Sequence, residues 1–145
     1  MTENASPPIV QRAAGFAGRT AVVAENGTLT YADLLDASAR VAAALLDGRA
    51  SLDGARVAFL TPPGWEYVAV QWGVWRAGGI AVPLAVSHPE AELEYVVRDA
   101  DAETVIAHAE FAEVLRPVAE RAERRFLSTD DALASEPGPL PDVAA

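Results

Sequence analysis

Short apolar runs recur along the middle of the chain and alternate with stretches that have helical periodicity. The runs cover residues 57–60, 80–84 and 104–107. They begin about 23 residues apart, which leaves room for one helix between successive strands. Residues 64–77 and 89–100 carry apolar side chains at helical spacing. Crossovers of this length join parallel strands, so the pattern predicts an α/β fold in which helices cover a layered, mainly parallel sheet.

The C-terminal third continues the alternation and then changes in composition. A helix is expected from about residue 110, and residues 126–128 are expected to form a fourth strand. Pro117 has no amide hydrogen and clashes with the preceding turn, so we expect it to break or restart this helix. Residues 136–141 are rich in proline and glycine. We therefore predict one subdomain over residues 1–135 and a linker over residues 136–145.

The N-terminal part has the signals of a short helix and of a small hairpin. Residues 9–16 have the length and pattern of one short helix. Asn26-Gly27 lies between two short apolar runs, and this dipeptide supplies the positive φ angles of a tight hairpin turn. Thr30 and Asp33 have the spacing of a capping box, which predicts that a helix begins at this point.

Charge and composition exclude several classes of protein. The net charge is −10, from 21 acidic and 11 basic residues, whereas nucleic-acid binding needs a basic surface. No apolar run reaches the roughly 18 residues of a membrane span, and the first residues lack the pattern of a signal peptide. The absence of cysteine fits a reducing compartment. We therefore predict a cytoplasmic protein that binds neither nucleic acid nor membrane.

All of the basic residues are arginine, and this restricts the chemistry that the chain can perform. Without lysine, the sequence cannot contain the G-x-x-x-x-G-K-[ST] phosphate loop, and it has no G-x-G-x-x-G motif either. A receiver domain of the flavodoxin-like type is also excluded. Thr61-Pro62-Pro63 stands where its strand-end aspartate would lie, and its lysine is missing.

Few side chains suggest a reactive centre. His88 and His108 are too few and too far apart in sequence to predict a metal site. Ser87 precedes His88 directly, and adjacent side chains rarely face each other as a nucleophile and its base must. Trp65, Trp72 and Trp75 share one helical stripe with Val68, which is typical of a buried face or an interface.

Four stretches together resemble the adenylate-forming superfamily, which includes acyl-CoA synthetases and the adenylation domains of peptide synthetases. Each stretch alone is weak evidence, but their order and spacing over residues 20–108 are specific. The stretches are Leu29-Thr30-Tyr31-Ala32-Asp33-Leu34, Arg56-Val57-Ala58-Phe59-Leu60-Thr61-Pro62-Pro63, Trp75-Arg76-Ala77-Gly78-Gly79-Ile80-Ala81-Val82-Pro83-Leu84 and His88-Pro89-Glu90-Ala91-Glu92-Leu93-Glu94-Tyr95-Val96.

The resemblance implies that the chain is the N-terminal part of an acid–thiol ligase and belongs to the large N-terminal domain of that fold. Such a ligase joins a carboxylic acid to ATP as acyl-AMP and then transfers the acyl group to CoA, with Mg²⁺. In the family, the phosphate loop and the catalytic lysine come later in the sequence than anything present here. We therefore predict no catalytic or metal-binding residue, no cofactor for this segment alone, and a scaffolding role without activity of its own.

One loop is expected to lie near a ligand. In the acetyl-CoA members of the family, the turn that corresponds to Leu84, Ala85, Val86, Ser87 and His88 lies beside bound CoA. Here Ala85 and Val86 replace the glycines of those members, which puts close approach of the backbone in doubt. The alternative for this loop is a plain connection between a strand and a helix.

The subtype and the partners are also implied only by the resemblance. The segment from Trp75 to Val96 is most similar to malonyl- and methylmalonyl-CoA synthetases. The expected partners are the remainder of the same ligase and a small carboxylic acid, and the isolated segment is expected to self-associate. Two alternatives stay open: an amino-acid adenylation domain of a peptide synthetase, and a standalone docking module that uses the face of Trp65, Trp72 and Trp75.

Overall fold

A computed structural model describes residues 6–143 as an α/β unit with a small hairpin at its N-terminal end. The helices are α1 (Pro8–Ala14), α2 (Tyr31–Leu46), α3 (Trp65–Arg76), α4 (Glu90–Asp99), α5 (Ala112–Arg121) and α6 (Thr129–Ala134). The strands are β1 (Thr20–Ala24), β2 (Gly27–Thr30), β3 (Arg56–Leu60), β4 (Ile80–Pro83), β5 (Thr104–Ala107) and β6 (Arg125–Ser128). The predicted strands and the parallel sheet are confirmed.

The main sheet is parallel throughout, with strand order β4-β3-β5-β6. Val57 of β3 lies opposite Ala81 of β4 on one side and Thr104 of β5 on the other. β1 and β2 form a separate antiparallel hairpin, as predicted, but its turn lies at residues 25–26, one residue earlier than the predicted Asn26-Gly27. Of the two predicted turn residues, only Gly27 has a positive φ angle, 145°, and it is the first residue of β2. Because β3 and β5 are central strands covered on both faces, their sequences are continuous apolar runs rather than alternating ones.

Helices cover both faces of the sheet, and alternate strand residues serve the two layers. Val57, Phe59 and Ile106 point toward α2, α3 and α6. Ala58 and Leu60, with the neighbouring positions of β5, point toward α4 and α5. The result is a three-layer arrangement with two apolar cores separated by the sheet.

The tryptophan stripe of α3 forms a third core rather than a free surface. Trp72 is 5% exposed, and Trp65 and Trp75 are partly buried beside it. Their neighbours come from α1, the hairpin and α2, including Val10, Ala13, Leu34, Ala21 and Val22. The standalone docking module that was expected to use this face therefore loses its proposed surface.

α5 contradicts one prediction, because it continues through Pro117 without a break. A 3₁₀ turn over Ala109–Phe111 precedes the helix. The carbonyl that Pro117 leaves without a helical partner belongs to Glu113, which is exposed and can be hydrated. Leu115 and Val118, on either side of the proline, are fully buried against the sheet. Their burial outweighs the loss of one hydrogen bond.

The ends of α2 are secured by side chains. Thr30 Oγ1 accepts from the Asp33 amide at 3.1 Å, and the Asp33 carboxylate accepts from the Thr30 amide at 3.0 Å, which confirms the predicted capping box. At the other end, the Arg125 guanidinium donates to the carbonyls of Leu45 and Ala44 at 2.9 and 2.8 Å. This long-range cap ties β6 to the C-terminal end of α2.

The segment that was predicted to be a linker lies against the fold over its described part. Leu140 is partly buried against the core that contains α2 and α3, and Pro141 lies beside Gly78. Residues 144 and 145 lie outside the described residues. The division into residues 1–135 and 136–145 stays a prediction.

Candidate functional site

The chain connections reverse direction at the carboxyl end of the parallel sheet. From β3, the chain passes through α3 to β4 on one side of the sheet; from β5, it passes through α5 to β6 on the other. The two connecting helices pack on opposite faces. A reversal of this kind opens a crevice between the ends of the two strands, and α/β proteins commonly bind ligands there. Thr61, Leu84 and His108 follow β3, β4 and β5 at this edge.

The predicted loop Leu84–His88 lies at this edge and is largely exposed. Leu84 itself is 7% exposed, and its amide donates to the Phe59 carbonyl at 2.8 Å, which prolongs the pairing of β4 with β3. The loop then turns, with the His88 amide donating to the Ala85 carbonyl at 3.1 Å. Val86, Ser87 and His88 are exposed, and His88 Nε2 lies 3.6 Å from a Glu92 carboxylate oxygen.

The replacement of glycine at Ala85 and Val86 does not strain this loop. Neither residue adopts a positive φ angle in the structure. Both residues carry a Cβ atom that a glycine would lack, so a ligand contacts their side chains before it reaches the backbone.

Sequence reasoning missed a groove that the loop shares with β3 and α3. An open groove of about 440 Å³ is lined by Thr61, Pro63, Gly64, Tyr67, Val68, Leu84 and Val86. The sequence held one indication of this groove, Thr61-Pro62-Pro63-Gly64 directly after a buried strand. A segment that leaves a parallel strand at its carboxyl end lies at the edge where such proteins bind ligands. The sequence alone does not show that Leu84 and Val86, which follow β4, line the same groove.

A second arrangement that sequence reasoning missed joins the hairpin turn to the same edge. Asn26 Nδ2 donates to Glu66 Oε1 at 2.7 Å, and His108 Nε2 lies 3.9 Å from Glu66 Oε2. His108 Nδ1 accepts from the Glu110 amide at 3.2 Å, which leaves Nε2 as the ring nitrogen nearer to Glu66. The sequence analysis considered Asn26 only as a turn residue and His108 only as a candidate metal ligand.

The ionisable groups whose pKa values depart from their ordinary values lie away from the groove. Hydrogen bonds from Arg121 and then Arg98 lower the pKa of Glu94, and the pairing with Glu94 raises the pKa of Arg121. Burial lowers the pKa of Arg76, whose guanidinium donates to Ser38 Oγ at 2.9 Å and to the Leu35 carbonyl at 2.7 Å. These groups join helices to one another.

Within residues 6–143, no group of three or more histidine, aspartate or glutamate side chains is arranged to hold a metal ion. In the same part of the chain, no helix has both the length and the apolar composition needed to cross a membrane.

The layered sheet, with exposed loops at its carboxyl edge, defines an α/β unit of the ligand-binding type. Residues 9–144 match the AMP-binding enzyme family, and the chain belongs to that family. The family resemblance inferred from the four sequence stretches is thereby confirmed.

The relatives extend this assignment. The chain is 41% identical over 118 residues to a mitochondrial malonate–CoA ligase from Xenopus laevis, covering 79% of this chain and 20% of the relative. It therefore spans about a fifth of the length of this relative.

Two solved structures share the fold. The anthranilate–CoA ligase AuaEII in complex with anthranoyl-AMP superposes with a TM-score of 0.81 at 23% identity, over 93% of this chain and 28% of that chain. VinN in complex with L-aspartate superposes with a TM-score of 0.75 at 31% identity, over 87% of this chain and 32% of that chain.

Proposed function

We propose that the complete protein is an AMP-forming acid–thiol ligase, which converts a carboxylic acid to acyl-AMP with ATP and transfers the acyl group to CoA. The observation that carries this proposal is the family match over residues 9–144, together with a malonate–CoA ligase among the relatives. Malonate or a substituted malonate is the substrate that we favour. A second candidate is an amino acid, because VinN, solved with L-aspartate, is 31% identical to this chain.

The described residues fit a scaffolding role within such an enzyme. Stabilising the charge that develops on a phosphate needs cations and oriented donors. The chain has no lysine, and the described residues offer no metal-binding group of three. We therefore assign no chemical step to these residues.

The contribution that we assign to this chain is a surface for CoA at the loop Leu84–His88. The loop is exposed at the carboxyl edge of the sheet, where α/β proteins bind ligands. Replacing Val86 by aspartate places a negative charge on this exposed loop and should repel the phosphates of CoA. We expect the KM for CoA to rise in the complete protein while the KM for ATP stays unchanged.

The matched control for the loop is Tyr95→Asp. Tyr95 is 68% exposed on α4, so the control adds the same charge to another exposed position. If both variants change the KM for CoA equally, the loop is not a specific contact.

The activity itself is tested by supplying malonate, ATP and CoA to the complete gene product and measuring AMP and acyl-CoA. Aspartate and other amino acids form the second arm, read by ATP–pyrophosphate exchange. The 145-residue chain should remain at background in both assays. Exchange above background from the pure chain would refute the scaffolding role.

Two further expectations are part of the proposal. We expect the isolated chain to self-associate, because any apolar surface that the remainder of the ligase covers would be open to a second copy. Sedimentation equilibrium would measure this, and a monomer at all concentrations would contradict it. We also propose that the protein resides in the cytoplasm, which fractionation of the producing cells would test.

A further inference from the structure

The proline-rich segment that follows α6 is suited to lie on a surface in an extended form. The sequence of residues 136–141 is Glu-Pro-Gly-Pro-Leu-Pro, with a proline at every second position. A residue that precedes proline is restricted to extended backbone conformations, so the segment loses little conformational entropy when it docks. Proline also lacks an amide hydrogen, so every second residue needs no acceptor when the segment lies on an apolar surface.

Contacts hold this segment at its two ends and leave its middle exposed. At the first end, Arg40 Nη1 of α2 donates to the Ser135 carbonyl at 3.3 Å. At the other end, Leu140 and Pro141 are half-buried, whereas residues 136–139 are exposed. About 680 Å³ of open space remains between the segment and the surface beside the C-terminal end of α2. The segment therefore spans this surface and contacts it mainly near Leu140.

Leu140 is the apolar anchor of the segment. Its side chain packs against the core on the α2 and α3 side of the sheet, which contains Leu46 and Leu52. Pro141 lies beside Gly78, where an added Cβ atom would be 3.7 Å from Pro141 Cγ. Because Gly78 lies in the turn before β4, the segment connects α2 to the amino end of the sheet.

A single half-buried side chain is a weak attachment. The burial of half a leucine side chain changes an equilibrium by about tenfold. The loss of this one contact therefore shifts the balance between docked and released forms of the segment by a similar factor. Release of this kind does not require the helices or the sheet to unfold.

We propose that residues 136–142 are a releasable strap, and that the surface from α2 to Gly78 is a docking site for this proline-rich segment, held in the same chain by Leu140. Release uncovers apolar surface beside Leu46 and loosens the turn before β4, and docking reverses both effects. The proposal concerns this chain alone and does not rest on the ligase activity.

The first test places a spin label on the strap. The chain has no cysteine, so one introduced cysteine carries a nitroxide at a single position. Gly138→Cys is suitable, because a Cβ atom there meets nothing within 4 Å. In the ¹⁵N-labelled chain, we expect the nitroxide to broaden the amide signals of residues 46–50 and to leave the signal of Tyr95, on the other side of the sheet, unchanged.

A mixing control separates docking within one chain from exchange between copies. A spin-labelled chain without ¹⁵N is mixed with a ¹⁵N-labelled chain that carries no nitroxide. We expect no broadening at residues 46–50 in this mixture. Broadening there would mean that the segment docks on a second copy, and it would overturn docking within the chain.

Two substitutions at Leu140 test the anchor in the Gly138→Cys background. Leu140→Asn keeps the approximate size of the side chain but makes it polar. It should strongly reduce the broadening at residues 46–50 and lower the heteronuclear NOE values of residues 138–142 to those of a mobile tail. Leu140→Met is the matched control, because methionine keeps the apolar contact, and it should retain both properties.

Hydrogen exchange measures the effect of release on the turn before β4. The Leu52 amide donates to the Ala77 carbonyl at 2.9 Å, and the Gly54 amide donates to the Gly78 carbonyl at 2.8 Å. Both amides should exchange up to about tenfold faster in Leu140→Asn than in the wild-type chain, which is the factor assigned to the lost contact. Amides of β5 should exchange at unchanged rates.

Three results would overturn the strap. The first is a wild-type chain in which residues 138–142 have the heteronuclear NOE values of a mobile tail. The second is equal behaviour of Leu140→Asn and Leu140→Met. The third is faster exchange throughout the chain in Leu140→Asn, because it would show that Leu140 stabilises the whole fold and does not hold a releasable segment.

Discussion

Gly73 permits the close approach of α2 and α3, and replacing it by alanine is the sharpest test of this packing. A Cβ atom at Gly73 would lie 2.5 Å from Val41 Cγ1, 2.6 Å from Val41 Cβ and 3.1 Å from the Ser38 carbonyl oxygen. The first two contacts are far shorter than carbon atoms tolerate. Val41 Cβ is fixed to its backbone, so a change of rotamer cannot relieve the clash and the helices must separate.

The magnitude follows from two opposing effects. Alanine is favoured over glycine inside a helix by about 1 kcal/mol. Forcing an extra methyl group into a packed core costs about 1–3 kcal/mol, and occasionally more. Because the clash involves a backbone-fixed atom, we expect the upper part of that range and a net loss of about 2 kcal/mol. A typical domain has a free energy of unfolding of only about 5–15 kcal/mol.

Urea denaturation of the wild-type chain, Gly73→Ala, Val41→Gly and the double variant measures the clash directly. Val41→Gly removes both clashing atoms, so the double variant should be more stable than the sum of the single effects predicts, by about 1 kcal/mol or more. Gly18→Ala is the control, since a Cβ there meets nothing within 4 Å. A neutral or stabilising Gly73→Ala, or effects that add without coupling, would refute the proposed contact.

Three further predictions concern the surface of the fold. Glu123 adopts φ 57° in the exposed turn before β6. Glu123→Gly should therefore raise the free energy of unfolding by about 0.5–1 kcal/mol in urea melts. A lower free energy of unfolding would contradict the cost assigned to this conformation. Arg125→Met removes the cap of α2 and should lower the free energy of unfolding by about 1–2 kcal/mol. Arg125→Lys should be intermediate, because lysine keeps the charge but cannot donate to both carbonyls in the same geometry. Equal stability of the three proteins would exclude the cap. Hydrogen bonds from Arg121 and Arg98 lower the pKa of Glu94 below 4.5 in the folded chain. These hydrogen bonds therefore stabilise the folded chain above pH 4.5, and this stabilisation is lost as the pH falls through the pKa that Glu94 has in the folded chain. Acid titrations should therefore separate wild type from Glu94→Gln above pH 4.5 and bring them together at lower pH, and a constant difference would contradict this linkage.

Interactions between residues close in sequence were the ones that sequence reasoning predicted well. The capping box of Thr30 and Asp33 depends on a spacing of three residues, and the hairpin is indicated by the adjacent Asn26-Gly27, so both could be inferred without knowing the fold. The position of the turn was wrong by one residue, because it lies at residues 25–26. The strands at 57–60 and 104–107 were predictable because a central parallel strand is covered on both faces and must be apolar throughout.

Tertiary structure decided the features that join distant segments. Pro117 stays inside a helix because Leu115 and Val118 are buried against the sheet, which a local rule for proline does not include. The contact of Asn26 with Glu66 spans 40 residues, and it forms only because the hairpin packs beside α3.

The candidate site also has some features that the sequence predicted and others that only the tertiary structure decided. The chain by itself determined that a loop follows the strand at 80–84 and that no lysine-dependent chemistry is available. That Leu84 and Val86 line one groove with Thr61 follows only from the strand order, which places β4 beside β3. Strand order depends on which apolar faces pack together, and a hydrophobic pattern specifies that a face is buried without specifying its partner.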